Sequence, residues 1–150
     1  MTEEKGYEGE VDPMFVNITD MDNIPELHTV PAGEVKLRII DGGKEFKYSE
    51  KKNLNYVIIR LELTEDPGAL DVTHMFWIPD KDKMDEKEYI RSISGKTGMR
   101  PFYKAFDIDA SSGIKFGDDL IGKEGWAIVK DVEDPEYGPS NKITRFVTGS

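Results

Sequence analysis

The order of strand-like and helical segments most constrains the fold of this 150-residue chain. The first strand-like segment follows a Pro-Ala-Gly turn and alternates apolar with cationic residues over positions 35–39. The second covers residues 54–63, where Val57, Ile59, Leu61 and Leu63 would share one face. The third covers residues 71–78, is rich in β-forming residues and ends before a proline. Three strands therefore precede any helical segment.

A helical region and two further strands complete the pattern. Residues 80–108 are helical in character, and Gly95 and Gly98 divide them into two segments. Asp85 and Glu86 suit the start of the first segment, and Pro101 suits the first turn of the second. Residues 125–132 and 141–147 are strand-like, and a loop rich in proline and glycine joins them.

Strand–strand–strand–helix–strand–strand is the chain order of the OB-fold, a five-stranded Greek-key barrel that commonly binds oligonucleotides or oligosaccharides. We therefore predict a mainly β domain at residues 29–150, with a five-stranded OB-like barrel and a helical segment between strands 3 and 4. The pair Gly42-Gly43 would permit the bend that a small barrel needs. This order predicts a binding protein.

The amino-terminal residues differ in composition from the rest. Residues 1–28 carry eight acids and one lysine, a net charge of −7, whereas the remaining 122 residues carry only −3 of the total of −10. Pro13 and Pro25 interrupt this segment, which shows no sustained periodicity. We predict a flexible acidic arm that occupies a binding groove as a DNA mimic or binds a basic partner.

Composition and motifs argue against metal binding, nucleotide binding and catalysis. The chain has no cysteine, and its two histidines, His28 and His74, lie 46 positions apart, so we predict no metal site. The segment 94–97, Ser-Gly-Lys-Thr, resembles the end of a phosphate-binding loop but lacks the required upstream glycine. Residues 107–118 resemble a calcium loop with its glycine displaced by one position, and a solvated Asx turn is favoured there. We predict a protein without catalytic activity or cofactors. Because it shows neither a secretory signal nor a membrane span, we expect a cytoplasmic location.

Cations and aromatic residues alternate through the first two strands and their connection, which is the mixture that single-stranded nucleic acid requires. We expect phosphates to contact Lys36, Arg38, Lys44, Lys47, Lys51, Lys52, Arg60, Lys142 and Arg145. The rings expected to stack on bases are Phe46, Tyr48, Tyr56, Trp77 and Tyr137. Strand alternation requires that either Phe76 or Trp77 faces outward, whereas Trp126 is predicted to lie in the core.

Five short motifs stand out, namely Pro31-Ala32-Gly33-Glu34, Leu120-Ile121-Gly122-Lys123, Trp126-Ala127-Ile128-Val129, Tyr137-Gly138 and Asn141-Lys142-Ile143. Together with the layout of residues 29–148, they resemble the OB domain of phage-encoded single-stranded DNA-binding proteins. The resemblance implies a non-catalytic protein that coats single-stranded DNA during replication or recombination, in the host cytoplasm if viral. It also implies that the acidic arm would recruit replication or recombination proteins. It departs from the family in the tail, because the carboxy terminus lacks an acidic tip.

Two alternatives remain at this point. The chain is either a DNA-binding protein with little sequence preference, or a protein–protein interaction module of a viral or replisome assembly that binds no nucleic acid. The net charge of −10 favours the second class. Oligosaccharide binding, which would use the rings with little dependence on salt, is a third possibility.

Overall fold

The computed structural model describes residues 13–15, 26–93, 98–136 and 138–148. These residues form a six-stranded antiparallel sheet with a few short helices, so the prediction of a mainly β chain is confirmed. The elements in chain order are β1 (Gly33–Asp41), β2 (Lys47–Ser49), β3 (Leu54–Leu63), β4 (Val72–Ile78), α1 (Glu86–Arg91), α2 (Met99–Ala105), β5 (Glu124–Asp134) and β6 (Gly138–Val147). Both helices lie between the third and fourth predicted strands, as expected.

The sheet has the strand order β2-β3-β1-β5-β6, and β4 pairs with the second edge of β3. On the first edge, β2 pairs with residues 54–56 and β1 with residues 60–63. The strands β1 and β2 therefore follow one another along the same edge of β3. The sequence predicted five strands, and the sixth arises because its first strand is interrupted at residues 42–46.

Two glycines produce this interruption, as the sequence predicted. A Cβ atom on Gly42 would lie 2.0 Å from the carbonyl oxygen of Gly117, and the Gly117 N–H donates to the Gly42 carbonyl at 2.8 Å. Gly43 has a φ of +89°, and a Cβ there would lie 2.4 Å from Val57 Cγ2. The chain can pass this closely only without side chains, so the strand bends at this pair.

The core lies on one face of the sheet beneath α2. Val57, Ile59, Leu61 and Leu63 are all buried, which confirms the predicted inner face of β3. On β4 both Val72 and Phe76 are buried, so Trp77 points outward. The other fully or nearly fully buried residues of this core include Leu37, Ile39, Phe102, Phe106, Leu120, Ala127 and Phe146. Each large side chain that is fully removed from water contributes about 1.5–3 kcal/mol.

The end strands of the sheet, β4 and β6, approach one another without a hydrogen-bonded ladder between them in the described residues. Aromatic rings occupy the space between them. The Phe146 ring lies 5.1 Å from that of His74 and 6.2 Å from that of Phe76, centroid to centroid. The described residues therefore form an open hydrogen-bonded sheet, and aromatic side chains fill the space between its end strands β4 and β6.

Residues 28–30 run beside the sheet and are fixed at two points. The His28 N–H donates to the Gly68 carbonyl at 3.0 Å, and the His28 imidazole Nε2 lies 2.8 Å from Asp66 Oδ2. The buried side chain of Asn141 accepts from the Val30 N–H at 2.9 Å and donates to the Val30 and Lys130 carbonyls at 2.9 and 3.3 Å. These contacts hold residues 28–30 against the domain, and the boundary at residue 28 stays a prediction. Most of the predicted arm, residues 1–12 and 16–25, lies outside the described residues.

Candidate nucleic-acid interface

An aromatic and aliphatic surface covers the outer face of β3 and β4. Because Val57, Ile59 and Phe76 point into the core, their neighbours along each strand point outward. Tyr56 lies opposite Trp77, and Ile58 lies opposite Met75. Ile58 is 42% exposed and Met75 is 40% exposed. We call Tyr56, Ile58, Met75 and Trp77 the outer patch.

The two aromatic members of the outer patch contact one another. Their ring centroids are 5.5 Å apart and the ring planes are inclined at 63°. Both residues are half-buried, so part of each ring remains available to a ligand. The sequence left open whether Phe76 or Trp77 faces outward, and this pairing places Trp77 on the exposed face.

Two unpaired cations border the outer patch. Lys47 on β2 lies opposite Tyr56, and Arg60 on β3 lies opposite Thr73 on β4. Both side chains are exposed, and within the described part of the chain neither forms an ion pair. Four predicted site residues, namely Lys47, Tyr56, Arg60 and Trp77, therefore lie on one face. Cations beside ring faces are the combination that single-stranded nucleic acid binds.

Two other predicted cations have acidic partners. Arg38 donates from Nε to Glu62 Oε2 at 2.8 Å and lies within 3.3 Å of Glu124, and Lys36 Nζ lies 3.4 Å from Glu124. The hydrogen bond to Glu62, and then its charge, raise the pKa of Arg38. Both cations are compensated on the outer face of β1, which reduces what they offer to a phosphate. Their role in DNA binding stays a prediction.

The remaining predicted cations on the amino-terminal half lie in loops. Lys51 and Lys52 form the exposed turn between β2 and β3, and Lys44 lies in the interruption between β1 and β2. Lys44 and Arg60 line the same shallow depression of about 270 Å³, together with Asp41 and Asp118. These cations extend the positive border of the outer patch around the β2–β3 hairpin.

The predicted rings do not form a single platform. Tyr48 alternates with Lys47 on β2, so it lies on the face opposite to Tyr56, and its hydroxyl donates to Asn53 Oδ1. Phe46 is also exposed, and its ring meets that of Phe116 edge-on at 6.1 Å. Tyr137 lies outside the described residues. The structure therefore brings together Tyr56 and Trp77 but places Phe46 and Tyr48 elsewhere.

The β5–β6 hairpin carries the last two predicted cations. Lys142 lies opposite Lys130, and Arg145 lies opposite Ile128. Because its neighbour Phe146 contacts His74 of β4, Arg145 lies on the strand that approaches the free edge of β4. The hairpin tip is acidic, with Asp131, Glu133, Asp134 and Glu136. A polyanion would be attracted near Arg145 and repelled at the tip.

The predicted core position of Trp126 is wrong. Ala127 and Val129 are buried, and Gly125 packs so tightly on α2 that a Cβ would lie 2.6 Å from the Ala105 carbonyl oxygen. Alternation therefore turns Trp126 outward, where it is 38% exposed and lies opposite Lys36. It is a second outward-facing indole, on β5, in addition to the half-buried Trp77 on β4.

Ile58 and Met75 were absent from the predicted site. Alternation along β3 did place Ile58 outward, but an aliphatic side chain carried no signal for base stacking. Met75 was missed because both faces of β4 are partly apolar in sequence. That Ile58 and Met75 are neighbours is visible only when β3 and β4 are paired.

The structure describes the Asp-rich candidate calcium loop but not the candidate phosphate-binding loop. The Ser111 N–H donates to Asp109 Oδ1 at 3.0 Å, which confirms the Asx turn and lowers the pKa of Asp109. No group of three or more acidic or histidine side chains in the described ranges is placed to hold a metal ion. Burial among aromatic rings lowers the pKa of His74 to about 4. The Ser-Gly-Lys-Thr segment 94–97 lies outside the described residues.

No protein-family model matches this chain, and no curated protein matches its sequence. In the described part of the chain, no helix has the length and apolar character needed to cross a membrane.

Proposed function

We propose that this chain is a non-catalytic single-stranded DNA-binding protein with little sequence preference, built on an OB-like barrel. The outer patch carries the proposal, because its two partly exposed rings and two exposed apolar side chains are bordered by Lys47 and Arg60, which form no ion pair within the described ranges. Rings stack on any base and cations follow the phosphates, so this mixture binds single strands without reading their sequence.

The strand pairing supports the OB-like part of the proposal. β1 pairs with both β3 and β5, β4 follows on β3, and β6 follows on β5. When β2 is counted as a continuation of β1, this pairing supports the proposal of a five-stranded OB-like barrel. The ring contacts of Phe146 with His74 and Phe76 bring the two end strands together where the barrel would close.

The free energies expected from base stacking and phosphate contacts are sufficient for a micromolar dissociation constant. A stacked base contributes about 1–3 kcal/mol, so two rings contribute about 2–6 kcal/mol. A micromolar dissociation constant corresponds to about 8 kcal/mol, and phosphate contacts at Lys47, Arg60 and the loop lysines would supply the difference. A protein of this kind would act in replication or recombination in the cytoplasm, where the acidic arm could recruit basic partners.

Fluorescence anisotropy tests the proposal directly. A labelled thirty-nucleotide poly-dT and a matched duplex are titrated with the full chain at two salt concentrations. We expect the single strand to bind more tightly than the duplex, with a log–log salt slope of about −0.7 for each phosphate neutralised. Equal binding of both, or no binding at low salt, contradicts the proposal.

The second candidate function is a protein–protein interaction module. It is favoured by the net charge of −10 and by Ile58 and Met75, whose exposed aliphatic surface also suits a protein partner. The same titration separates the two, since this module would show no salt-dependent binding of poly-dT. Deleting residues 1–25 tests whether the acidic arm occupies the DNA-binding groove. If it does, the shortened chain would bind poly-dT more tightly than the full chain.

A further inference from the structure

A second ring-lined surface lies on the other side of the β2–β3 hairpin. It is a groove of about 460 Å³ between the end of β4, the helices α1 and α2, and the loop that follows α2. Four aromatic side chains line it, and the neighbouring walls are aliphatic. The aromatic residues are Phe46, Tyr89, Tyr103 and Phe116. We call this surface the helix groove.

The charge of the helix groove is unlike that of the chain as a whole. Its lining contains one charged residue, Arg100, and no carboxylate among the described residues, although the chain carries a net charge of −10. Lys81 adds a second cation nearby, with its Nζ 4.9 Å from the centroid of the Tyr89 ring. A groove with this lining does not repel an anion and attracts an apolar ring system.

The helix groove continues toward the β2–β3 hairpin. Ile78 and Pro79 form part of its wall and also line an adjacent depression that contains Tyr48, Asn53 and Lys83. Ile78 directly follows Trp77, so the end of β4 contributes to the outer patch on one face and to the groove on the other. The β2–β3 hairpin and the end of β4 lie between the two surfaces.

We propose that the helix groove binds one unstacked nucleobase of the same single strand that lies on the outer patch. This inference rests on the proposed function and names a second base-binding position for it. Phe46 and Tyr103 would contact the faces of the base, and Arg100 would contact the adjoining phosphate. The volume is within the 300–1,000 Å³ that small-molecule sites occupy, and its mostly apolar lining with a few polar groups is typical of such sites.

The proposal accounts for two features that DNA binding at the outer patch does not explain. Phe46 is 52% exposed although it lies against Phe116, so an aromatic surface remains open to a ligand. Tyr48, which the sequence predicted to stack on bases, lies beside the groove and not on the outer patch. Both predicted rings would then contact the strand from the face opposite to Tyr56.

Photocrosslinking with 5-iodouracil tests the proposal. The full chain is irradiated with a thirty-nucleotide poly-dT that contains single 5-iodouracil substitutions, and the crosslinked residues are identified by mass spectrometry. We expect crosslinks at Phe46, Tyr103 or Phe116 in addition to Tyr56 or Trp77. Crosslinks at the outer patch alone overturn the groove proposal and leave the proposed function intact. No crosslink combined with no binding overturns both.

Substitutions provide a second readout. Phe46→Ala should weaken poly-dT binding by about tenfold, which is the loss of one stacked base. Ile90→Ala is the matched control, because Ile90 is 49% exposed on α1 and does not line the groove. Arg100→Ala should make the log–log salt slope less steep by about 0.7, whereas Arg91→Ala on α1 should not change it. Unchanged binding in both groove variants overturns the proposal, as does weaker binding without a groove crosslink.

Discussion

Tyr56 and Trp77 face one another across β3 and β4, with ring centroids 5.5 Å apart and ring planes at 63°. An edge-to-face aromatic pair of this geometry contributes about 0.5–1.5 kcal/mol to stability beyond its buried area. The same inclination leaves the face of one ring free of the other. The pair therefore fixes the orientation of the two rings that would contact DNA.

Removal of the outward indole on β4 should weaken DNA binding. Trp77→Ala deletes one stacking ring, so we expect the dissociation constant for poly-dT to rise between about fivefold and one hundredfold. Trp126→Ala is the matched control, because it removes an exposed indole from β5 and leaves the outer patch unchanged. Anisotropy titrations with both variants make the comparison. Equal losses in the two variants would contradict the assignment of the outer patch.

The acids that pair with Lys36 and Arg38 should restrain DNA binding. The double variant Glu62→Gln/Glu124→Gln removes both carboxylates and leaves the two cations uncompensated. We expect tighter binding at low salt and a log–log slope steeper by about 0.7 for each cation that reaches a phosphate. Glu86→Gln/Glu88→Gln, on the exposed face of α1, changes the net charge equally and serves as the control. An identical slope in both double variants would show that Lys36 and Arg38 do not contact the strand.

The break between β1 and β2 should depend on Gly42. Gly42→Ala would place a methyl group 2.0 Å from a backbone oxygen, which cannot move without displacing residues 116–118. We expect a loss of about 1–3 kcal/mol or more in the free energy of unfolding, measured by urea denaturation. Gly98→Ala is a control with no neighbour within 4 Å of the added Cβ, although its φ of +71° itself carries a cost of about 1–2 kcal/mol. A smaller loss at Gly42 than at Gly98 would contradict this view of the break.

His74 should lower stability in acid. Burial lowers the pKa of His74 from 6.5 to about 4, so the unfolded chain binds a proton in this range and the folded chain does not. Stability therefore falls as the pH decreases from about 6.5 to about 4, by roughly 3 kcal/mol in total. His74→Phe should abolish this slope in urea unfolding experiments. A slope that persists in the variant would exclude His74 as its source.

His28 should make the free energy of unfolding decrease as the pH rises above 6.5. The hydrogen bond to Asp66 raises the pKa of His28, so its stabilising effect is complete below 6.5 and is lost as the pH rises through the folded-state pKa. The pKa of Asp66 is lowered by the same hydrogen bond, so its contribution is lost only as the pH falls below 3.8. His28→Gln should flatten the decline above pH 6.5 while leaving the acid slope of His74 unchanged. Unfolding at pH 5, 6.5 and 8.5 measures both effects.

Part of the fold could be predicted because β1 and β3 alternate apolar with polar residues. The predicted second strand, residues 54–63, agrees with β3 at both ends, and its four inward residues are buried. The short strand β2 was missed, since three residues are too few to show a period. Trp126 was misplaced because apolar residues occupy both faces of β5, so the sequence could not decide which face is buried.

The candidate site was less predictable because it depends on which strands are neighbours. Arg38 pairs with acids that lie 24 and 86 positions away, and no local pattern indicates those partners. Alternation correctly placed Tyr56 outward but gave no reason to separate it from Tyr48, which is eight positions away across a turn. The helix groove gathers residues from five separate segments, so only the folded chain reveals it.

The amide of Asn141 has a consequence for the ageing of the protein. Its NH₂ group donates to two carbonyl oxygens while its oxygen accepts from the Val30 N–H. Hydrolytic deamidation would replace the donor group by a carboxylate that can only accept, and a negative charge would then face both carbonyls. A single chemical event during storage would thus replace the two hydrogen bonds to the Val30 and Lys130 carbonyls by repulsion and loosen Val30 from β6. Fresh and aged samples made from the same gene would then differ in how firmly Val30 is held against the sheet.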